Sequence, residues 1–271
     1  MRAMLLSMLR DDNLSAATVF DGLRTLYMGR EYIHFPLTDS TQNVVAEAAK
    51  RGAPEGLVVT ADEQSAGRGR FRRSWSSPPG GSLLVSILFR PAVETASLVV
   101  MAGALATQKA IRSVAPELSP ELKWPNDILL GGRKTCGMLV ETAHGPEAPL
   151  YAVLGIGLNV NWDPRQVPEI AATATSLSVA AGGRLFSRRL LLQGLLEALE
   201  ETYERAKRDG RAVAQEWRSQ LVTLGKRVRV QGGDVIADGV AEDVDSSGAL
   251  LLRADDGRLL TVHAGDVTLS S

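Results

Sequence analysis

The chain has 271 residues, of which 45% are hydrophobic and 23% charged, and its formal net charge is −1. This size and composition are typical of a soluble protein with one sizeable domain and a smaller one, and the near-zero charge argues against a general nucleic-acid coat. The single cysteine, Cys136, excludes an internal disulfide, and three histidines are too few for a Cys/His zinc cluster. Met1–Leu9 is too short to span a bilayer and lacks the features of a secretory signal, so we expect a loose N-terminus, a cytoplasmic location and no membrane association.

The first half of the chain predicts helices alternating with buried strands, which is a mixed α/β pattern. Ser40 or Thr41 is a good N-cap for a helix that runs to about Arg51, where Gly52 and Pro54 end it. Three further elements are expected in chain order, namely a strand at Gly56–Ala61, a strand at Ser82–Phe89 and a helix from Glu94 to about Val114.

The connection between those two strands is rich in arginine. It follows Gln64 and carries Arg68, Arg70, Arg72 and Arg73, with glycine at positions 67 and 69 leaving the backbone free to turn. Guanidinium groups offer forked donors that suit carboxylate or phosphate oxygens, so the loop predicts an anion site at a strand end. Arginine-rich loops also occur on solvated surfaces and in nucleic-acid patches, and the loop by itself leaves its anion open.

A second motif is a hairpin with glycine at both positions of its turn, residues 131–132. Counting outward from the turn places Leu129 opposite Lys134 and Asp127 opposite Cys136, and predicts that all four share one face. Asp127 and Lys134 are then diagonal neighbours, about 7–8 Å apart at the backbone, so the lysine reaches the carboxylate or a ligand beside it. Such a pair is usually solvated and weak, but the apolar face around it favours a functional role.

The next strand is expected at Tyr151–Asn161, with Asn159 near its end. Its amide is suited either to a polar ring edge or to a structural turn. Residues 155–159 carry only two glycines of a dinucleotide fingerprint, because Val160 stands where the third would fall. The chain also has no Gly-x-x-x-x-Gly-Lys-Ser/Thr loop, so any ATP must be held in another way.

The last third predicts a helical scaffold followed by a small β unit. Ser187 is an N-cap for a long helix with Leu191, Leu195, Leu199 and Tyr203 on its apolar face and Glu197, Glu200, Glu201 and Glu204 facing outward. A second helix, about Ala212–Gln220, carries Trp217 as a core residue. Beyond Gly225, four short runs separated by turns predict a barrel-like antiparallel unit that leans on the main domain: Arg227–Gln231, Val235–Asp243, Ala249–Arg253 and Arg258–His263.

Several motifs occur in a fixed order along the chain, namely Asp39-Ser40-Thr41, Gln64, Gly67-Arg68-Gly69-Arg70, Trp75, Lys123-Trp124-Pro125-Asn126-Asp127, Lys134 and Gly155-Ile156-Gly157-Leu158-Asn159. From about Leu26 to the C-terminus, the chain resembles the biotin protein ligases in these motifs and in their spacing. It departs from that pattern at Arg72, where the usual loop has a glycine.

The resemblance implies an α/β (α+β) fold, with a catalytic domain like that of class II aminoacyl-tRNA synthetases and a small C-terminal SH3-like β-barrel. The expected domains are an N-terminal extension at 1–30, the biotin- and ATP-binding catalytic domain at 31–223 and the SH3-like domain at 224–271. It also implies that the biotin carboxylate attacks the α-phosphate of ATP, with Mg²⁺, to give biotinyl-5′-AMP, and that a lysine of a biotin carboxyl carrier protein then attacks this adenylate.

The resemblance further implies roles for individual residues. Biotin is expected to contact Ser40, Thr41, Gln42, Gln64, Arg68, Gly69, Arg70 and Lys134. ATP and the adenylate are expected to contact Arg68, Arg70, Trp75, Lys134 and Asn159. Lys134, Arg70 and Asp127 are the expected catalytic residues, and Mg²⁺ is expected to be held mainly by the ATP phosphates, with Asp127 as the protein ligand to consider.

Two alternatives compete with this interpretation. A lipoate–protein ligase shares the fold and the adenylation chemistry, whereas a non-enzymatic anion-binding module explains the arginines but leaves Lys134 and Asp127 without a task. The expected enzyme is a monomer or homodimer of the monofunctional type, without the N-terminal DNA-binding domain, so no DNA partner is expected.

Overall fold

The structure is a computed structural model that describes residues 12–143, 151–232 and 235–269. The predicted loose segment Met1–Leu9 lies outside these residues. Six helices and twelve strands follow one another in these ranges: α1 Ala16–Phe20, β1 Tyr32–Thr38, α2 Thr41–Lys50, β2 Val58–Gln64, β3 Ser82–Phe89, α3 Leu98–Val114, β4 Glu121–Lys123, β5 Asp127–Leu130, β6 Arg133–Ala143, β7 Tyr151–Asn159, α4 Leu177–Ala180, α5 Arg188–Arg208, α6 Gly210–Ser219, β8 Arg227–Gly232, β9 Val235–Val244, β10 Leu250–Ala254, β11 Leu259–Val262 and β12 Asp266–Leu269. No described helix is long and apolar enough to cross a membrane. The cytoplasmic location stays a prediction.

A seven-stranded sheet in the order β1-β2-β3-β7-β6-β5-β4 forms the middle layer of the main domain. Only β1 and β2 run parallel, and the other neighbours are antiparallel. Successive strand residues face opposite sides, so Val58 joins the large core with α3 and α5 while Val59 joins a smaller core with α2. The sheet is therefore covered by helices on both faces, which confirms the predicted mixed α/β fold.

The C-terminal part is a five-stranded antiparallel sheet in the order β11-β10-β9-β8-β12. Val228 and Val230 belong to the same buried core as the main domain. Trp124 ties the two parts together, because its indole nitrogen donates a 2.8 Å hydrogen bond to the carbonyl of Gly248. The expected contact between the β unit and the main domain is thus present.

Several element boundaries differ from the predictions for local reasons. The helix expected from Glu94 begins at Leu98, because residues 93–95 form a separate 3₁₀ turn. The strand expected to end at Ala61 continues to Gln64. Strands β1, β4 and β12 were not predicted. In β1, Pro36 interrupts the strand pattern, which is tolerated because β1 lies at the edge of the sheet.

The prediction that Glu200 faces outward is wrong. Its side chain is buried, and its carboxylate accepts hydrogen bonds from three successive backbone N–H groups, those of Leu26, Tyr27 and Met28, at 2.7, 3.0 and 2.9 Å. The chain ahead of β1 crosses α5 at this point, and its N–H groups need an acceptor once they are buried. The apolar positions predicted for the same helix, including Leu195 and Tyr203, are buried as expected.

Candidate active site

One cavity of about 480 Å³ lies between the arginine loop, the central strands β3, β6 and β7, and the C-terminal sheet. Its walls include all eleven residues that the sequence singled out, namely Ser40, Thr41, Gln42, Gln64, Arg68, Gly69, Arg70, Trp75, Asp127, Lys134 and Asn159. The fold therefore brings residues from six separate segments of the chain into contact with one cavity.

The closed end of the cavity carries a buried hydrogen-bonded array. Thr41 donates to the side-chain oxygen of Gln64 from its backbone N–H at 2.8 Å and from its hydroxyl at 3.0 Å. The hydroxyl also lies 2.8 Å from that of Ser86, which is buried in the middle of β3. Ser86 was not predicted as a site residue, although a lone hydroxyl inside the apolar run of β3 was a usable signal. Hydroxyl and amide groups here can both donate to and accept from a small polar ring.

Glycines shape the floor of the cavity. Gly137 in β6 pairs with Gly157 in β7, and the indole of Trp75 lies over both. A Cβ atom at Gly157 would lie only 2.4 Å from a ring carbon of Trp75, and one at Gly137 would lie 3.0 Å from another. Gln42 covers Gly155 in the same way, since a Cβ there would lie 2.2 Å from its side-chain oxygen. Larger side chains at these strand positions would exclude both covering groups.

The hairpin places Lys134 beside Asp127 as predicted, with Nζ 2.7 Å from Oδ1. The predicted pairing of Asp127 with Cys136 is wrong, because a bulge between Ile128 and Leu129 shifts the register and Asp127 pairs with Gly137. Cys136 is instead buried in the main core, and burial raises the pKa of its thiol. Its side chain therefore has no place in the site.

Lys123 also lines the cavity, and no role was predicted for it. It pairs in register with Asp127 across β4 and β5. Burial lowers the pKa of Lys123, the nearby carboxylate of Asp127 opposes that shift, and Lys134 adds to it. Its position in the Lys-Trp-Pro-Asn-Asp motif, four residues before Asp127, was the available signal. A second half-buried ammonium group therefore stands close to the Lys134–Asp127 pair.

The arginine loop folds as a small hairpin of its own. The N–H of Gly69 donates to the carbonyl of Arg73 at 2.7 Å, and the N–H of Trp75 donates to that of Gly67 at 2.9 Å. Phe71 occupies the left-handed region with φ 53°, a conformation that costs about 1–3 kcal/mol for a residue other than glycine. The chain thus makes its unusual turn at Phe71, and the guanidinium carbon of Arg70 lies 4.9 Å from the centre of that ring.

The loop arginines have different partners. Arg68 forms a 2.8 Å ion pair with Glu141, and both side chains are 41% exposed at the rim. Arg70 is more enclosed and donates to neutral oxygens, the side-chain oxygen of Asn126 at 3.3 Å and the carbonyl of Gly265 at 3.2 Å. Burial lowers the pKa of Arg70, as expected for a cation in a partly desolvated position. An anion in the cavity would therefore stabilise Arg70 more than Arg68.

Asn159 is held firmly at another wall of the cavity. Its amide nitrogen donates to the carbonyl of Thr175 at 3.0 Å, and its oxygen accepts from Ser82 at 3.3 Å and from the indole of Trp162 at 3.2 Å. The side chain is buried, so its orientation is fixed by these contacts. One N–H of the amide remains for a further acceptor.

The cavity wall is strongly cationic. Six Lys or Arg side chains line it, namely Arg68, Arg70, Arg73, Lys123, Lys134 and Arg229, against two carboxylates, those of Asp127 and Asp266. The described residues contain no group of three or more His, Cys, Asp or Glu side chains arranged to hold a metal ion. The arrangement suits a polyanion, and a metal ion that is bound largely by that polyanion.

The chain is similar in sequence and in structure to several known proteins. Residues 34–159 match the sequence profile described as "Biotin/lipoate A/B protein ligase family", and residues 223–270 match "Biotin protein ligase C terminal domain". The bifunctional ligase/repressor BirA of Bacillus subtilis (strain 168) is 34% identical over 261 residues, which is 94% of this chain and 79% of that protein. The biotin--[acetyl-CoA-carboxylase] ligase of Mycobacterium tuberculosis is 34% identical over 239 residues, 85% of each chain. The structure of a biotin protein ligase from Aquifex aeolicus in complex with biotin and ATP superimposes with a TM-score of 0.73 at 27% identity, covering 89% of this chain and 99% of the other.

Proposed function

The chain belongs to the biotin protein ligase family, and we propose that it activates biotin with ATP as biotinyl-5′-AMP and transfers the biotinyl group to a lysine of a biotin carboxyl carrier protein. The observation that carries this proposal is a shared cavity in which the hydrogen-bonding array around Thr41 and Gln64 lies next to Lys134, Arg70 and Lys123. A neutral polar ring and two anionic groups can be bound there together. Relatives named as biotin ligases favour biotin over lipoate.

In the first step, an oxygen of the biotin carboxylate attacks the α-phosphorus of ATP, and the bond to the pyrophosphate oxygen breaks. Both reactants are anions, so the enzyme must hold them together and neutralise the charge as they converge. We assign this task to Lys134, oriented by Asp127, and to Arg70. Their positions support the assignment, because Lys134 Nζ is held 2.7 Å from Asp127 and Arg70 donates to the neutral oxygens of Asn126 and Gly265.

The closed end of the cavity is the proposed site of the biotin ring. A ureido group has one carbonyl acceptor and two N–H donors, and Ser40, Thr41, Gln42 and Gln64 together offer both kinds of partner. Arg68 and Gly69 are assigned to the loop that covers the biotin chain. Trp75 and Asn159 are assigned to the adenylate, through ring stacking and through the remaining amide N–H.

Magnesium fits this site only as a companion of the nucleotide. The ion would be held mainly by the ATP phosphates, with Asp127 as the protein carboxylate, which agrees with the usual preference of Mg²⁺ for few protein ligands. When bound, it would neutralise charge on the departing pyrophosphate.

In the second step, the amine of the acceptor lysine attacks the carbonyl carbon of biotinyl-5′-AMP, an amide forms and AMP leaves. The acceptor amine loses a proton, and Asp127 is the carboxylate we assign to assist it.

For the domain organisation, we propose an N-terminal extension at residues 1–30, a catalytic domain at 31–223 and a C-terminal domain at 224–271. We propose that the protein is a monomer or a homodimer. No DNA role is proposed. Specific operator binding in a gel-shift assay would contradict this.

Exchange of labelled pyrophosphate into ATP tests the proposed function. We expect exchange that depends on biotin, and none with lipoate in its place. Exchange with lipoate alone would indicate a lipoate–protein ligase, and no exchange with either acid would indicate an anion-binding module. The second step is then tested by incubating the enzyme with a carrier protein and measuring by mass spectrometry whether a biotinyl group has been added.

A further inference from the structure

The arginine loop is attached to the C-terminal sheet by two contacts at the start of β12. Arg70 donates to the carbonyl of Gly265 at 3.2 Å, and Arg73 forms an ion pair with the next residue, Asp266. Gly265 is buried and closely packed, since a Cβ there would lie 2.9 Å from the side chain of Val230. These contacts join a loop of the main domain to a well-fixed point of the smaller one.

Asp266 lies among cations that line the cavity. Arg73 contacts it directly, and its charge also acts on Arg70 and Lys123, raising the pKa of each against the effect of burial. The side chains of Asp266 and Arg73 are 36% and 69% exposed, so their ion pair is accessible to solvent. Exposed pairs of this kind are weak and easily exchanged for a stronger partner.

The polyphosphate of ATP would be such a partner. It carries more charge than one carboxylate and can accept forked hydrogen bonds from several guanidinium groups at once. We propose that Asp266 is a positioning residue for the arginine loop, whose carboxylate pairs with Arg73 among the cavity cations until the polyphosphate displaces it. This inference rests on the proposed function for the identity of the polyanion, but the contact itself is independent of it.

The isosteric substitution Asp266→Asn tests this competition. We expect the KM for ATP to fall about twofold to fivefold, without an increase in kcat, because a weak internal competitor is removed. The dissociation constant of inorganic pyrophosphate, measured by calorimetry, is expected to fall by a similar factor. Without nucleotide, trypsin should cleave the arginine loop faster than in the natural chain, since the loop loses its attachment. A KM or a pyrophosphate dissociation constant that is unchanged or raised would overturn the proposal.

Two further variants make the test specific. Asp243→Asn removes an equally exposed carboxylate, at 36%, from β9 of the same C-terminal sheet, where it pairs with Arg218 of α6. This variant should change none of the three readouts. Arg73→Gln breaks the proposed contact from its other side and also removes a phosphate donor, so it should weaken pyrophosphate binding. If the ion pair had only a structural role, Arg73→Gln and Asp266→Asn would change the dissociation constant of pyrophosphate in the same direction. Failure of biotin-dependent exchange in the natural chain would count against the proposed ligase, whereas pyrophosphate binding and proteolysis would still decide the role of Asp266.

Discussion

The ammonium nitrogen of Lys134 lies 2.7 Å from Oδ1 of Asp127, across the two strands of one hairpin. Asp127 is the more enclosed partner, with 17% of its side chain exposed against 39% for Lys134. The ion pair therefore holds the lysine beside the more buried carboxylate, while part of the lysine side chain stays exposed. A cation held in advance costs no reorganisation when negative charge converges on it.

We expect Lys134→Ala to slow adenylate formation by at least about 100-fold, because charge neutralisation is strongest in the transition state. Biotin affinity should fall by less than about tenfold, since the closed end of the cavity is intact. Pyrophosphate exchange and calorimetry measure the two effects. Equal losses would assign Lys134 to simple binding. Lys50→Ala, which removes an exposed lysine paired with Glu47, should alter neither.

Arg70→Gly should release the adenylate faster, by about tenfold or more, because a half-buried guanidinium that donates to neutral oxygens is lost from the loop over the cavity. A stopped-flow chase of labelled biotinyl-5′-AMP measures the dissociation rate. Arg68→Gly is the matched control, since Arg68 is already paired with Glu141 at the rim and its loss should have a smaller effect. Unchanged dissociation of Arg70→Gly would refute the assignment.

Lys123→Met is expected to make the protein more stable at neutral pH and to raise the KM for ATP by about tenfold. Burial lowers the pKa of Lys123 in the folded chain, so its charged form opposes folding below that lowered pKa. This cost disappears as pH rises from the lowered pKa to the usual lysine value of about 10.4. The stability advantage of the variant should therefore shrink in alkaline urea titrations. A variant that is less stable at pH 7 would show that Lys123 contributes favourable contacts instead.

Gly157→Ala should displace Trp75, because the added methyl would lie 2.4 Å from its ring. We expect Gly157→Ala and Trp75→Ala to weaken adenylate binding by similar amounts, and the double variant to be little worse than either. The coupling between the two changes should be about 1–2 kcal/mol. Measured dissociation constants that add independently would mean that Trp75 does not depend on the bare backbone at Gly157.

Glu200→Gln should lower the free energy of unfolding by about 2 kcal/mol, since charge-assisted hydrogen bonds to three backbone N–H groups are weakened. Exchange activity at temperatures well below the unfolding midpoint should be retained. Glu201→Gln is the neighbouring control, because Glu201 is 64% exposed and its partner Lys109 is 3.6 Å away. A loss of less than about 0.5 kcal/mol is expected there. Equal effects of the two variants would contradict the role of Glu200.

The sequence pattern was sufficient to predict contacts between residues that lie close together in the chain. The two glycines at residues 131–132 both have positive φ, as their turn requires, and the turn brings Lys134 to Asp127. Counting residues outward from this turn predicted the wrong partner for Cys136, because a bulge adds one residue to the hairpin and has no distinctive sequence signal. The motif order located the cavity residues, but their roles stay proposals.

Contacts between residues far apart in the chain could not be predicted from the sequence. Asp266 is one acidic residue among many in the C-terminal part, and only the folded chain brings it to Arg73. Glu200 occupies a helix position that periodicity alone would leave in solvent, and its partners lie more than 170 residues earlier. Such contacts depend on how distant segments cross, which periodicity cannot specify.

At the glycines of β6 and β7, the sheet has no side chains of its own to line the cavity. Where those strands are bare, Gln42 and Trp75 provide the lining from elsewhere in the chain. Each lining group can be exchanged without altering a hydrogen bond of the β6–β7 ladder. Substitutions at positions 42 and 75 are therefore the most direct way to change the shape of the cavity for chemically modified acids. Gly155 and Gly157 would be left unchanged beneath them.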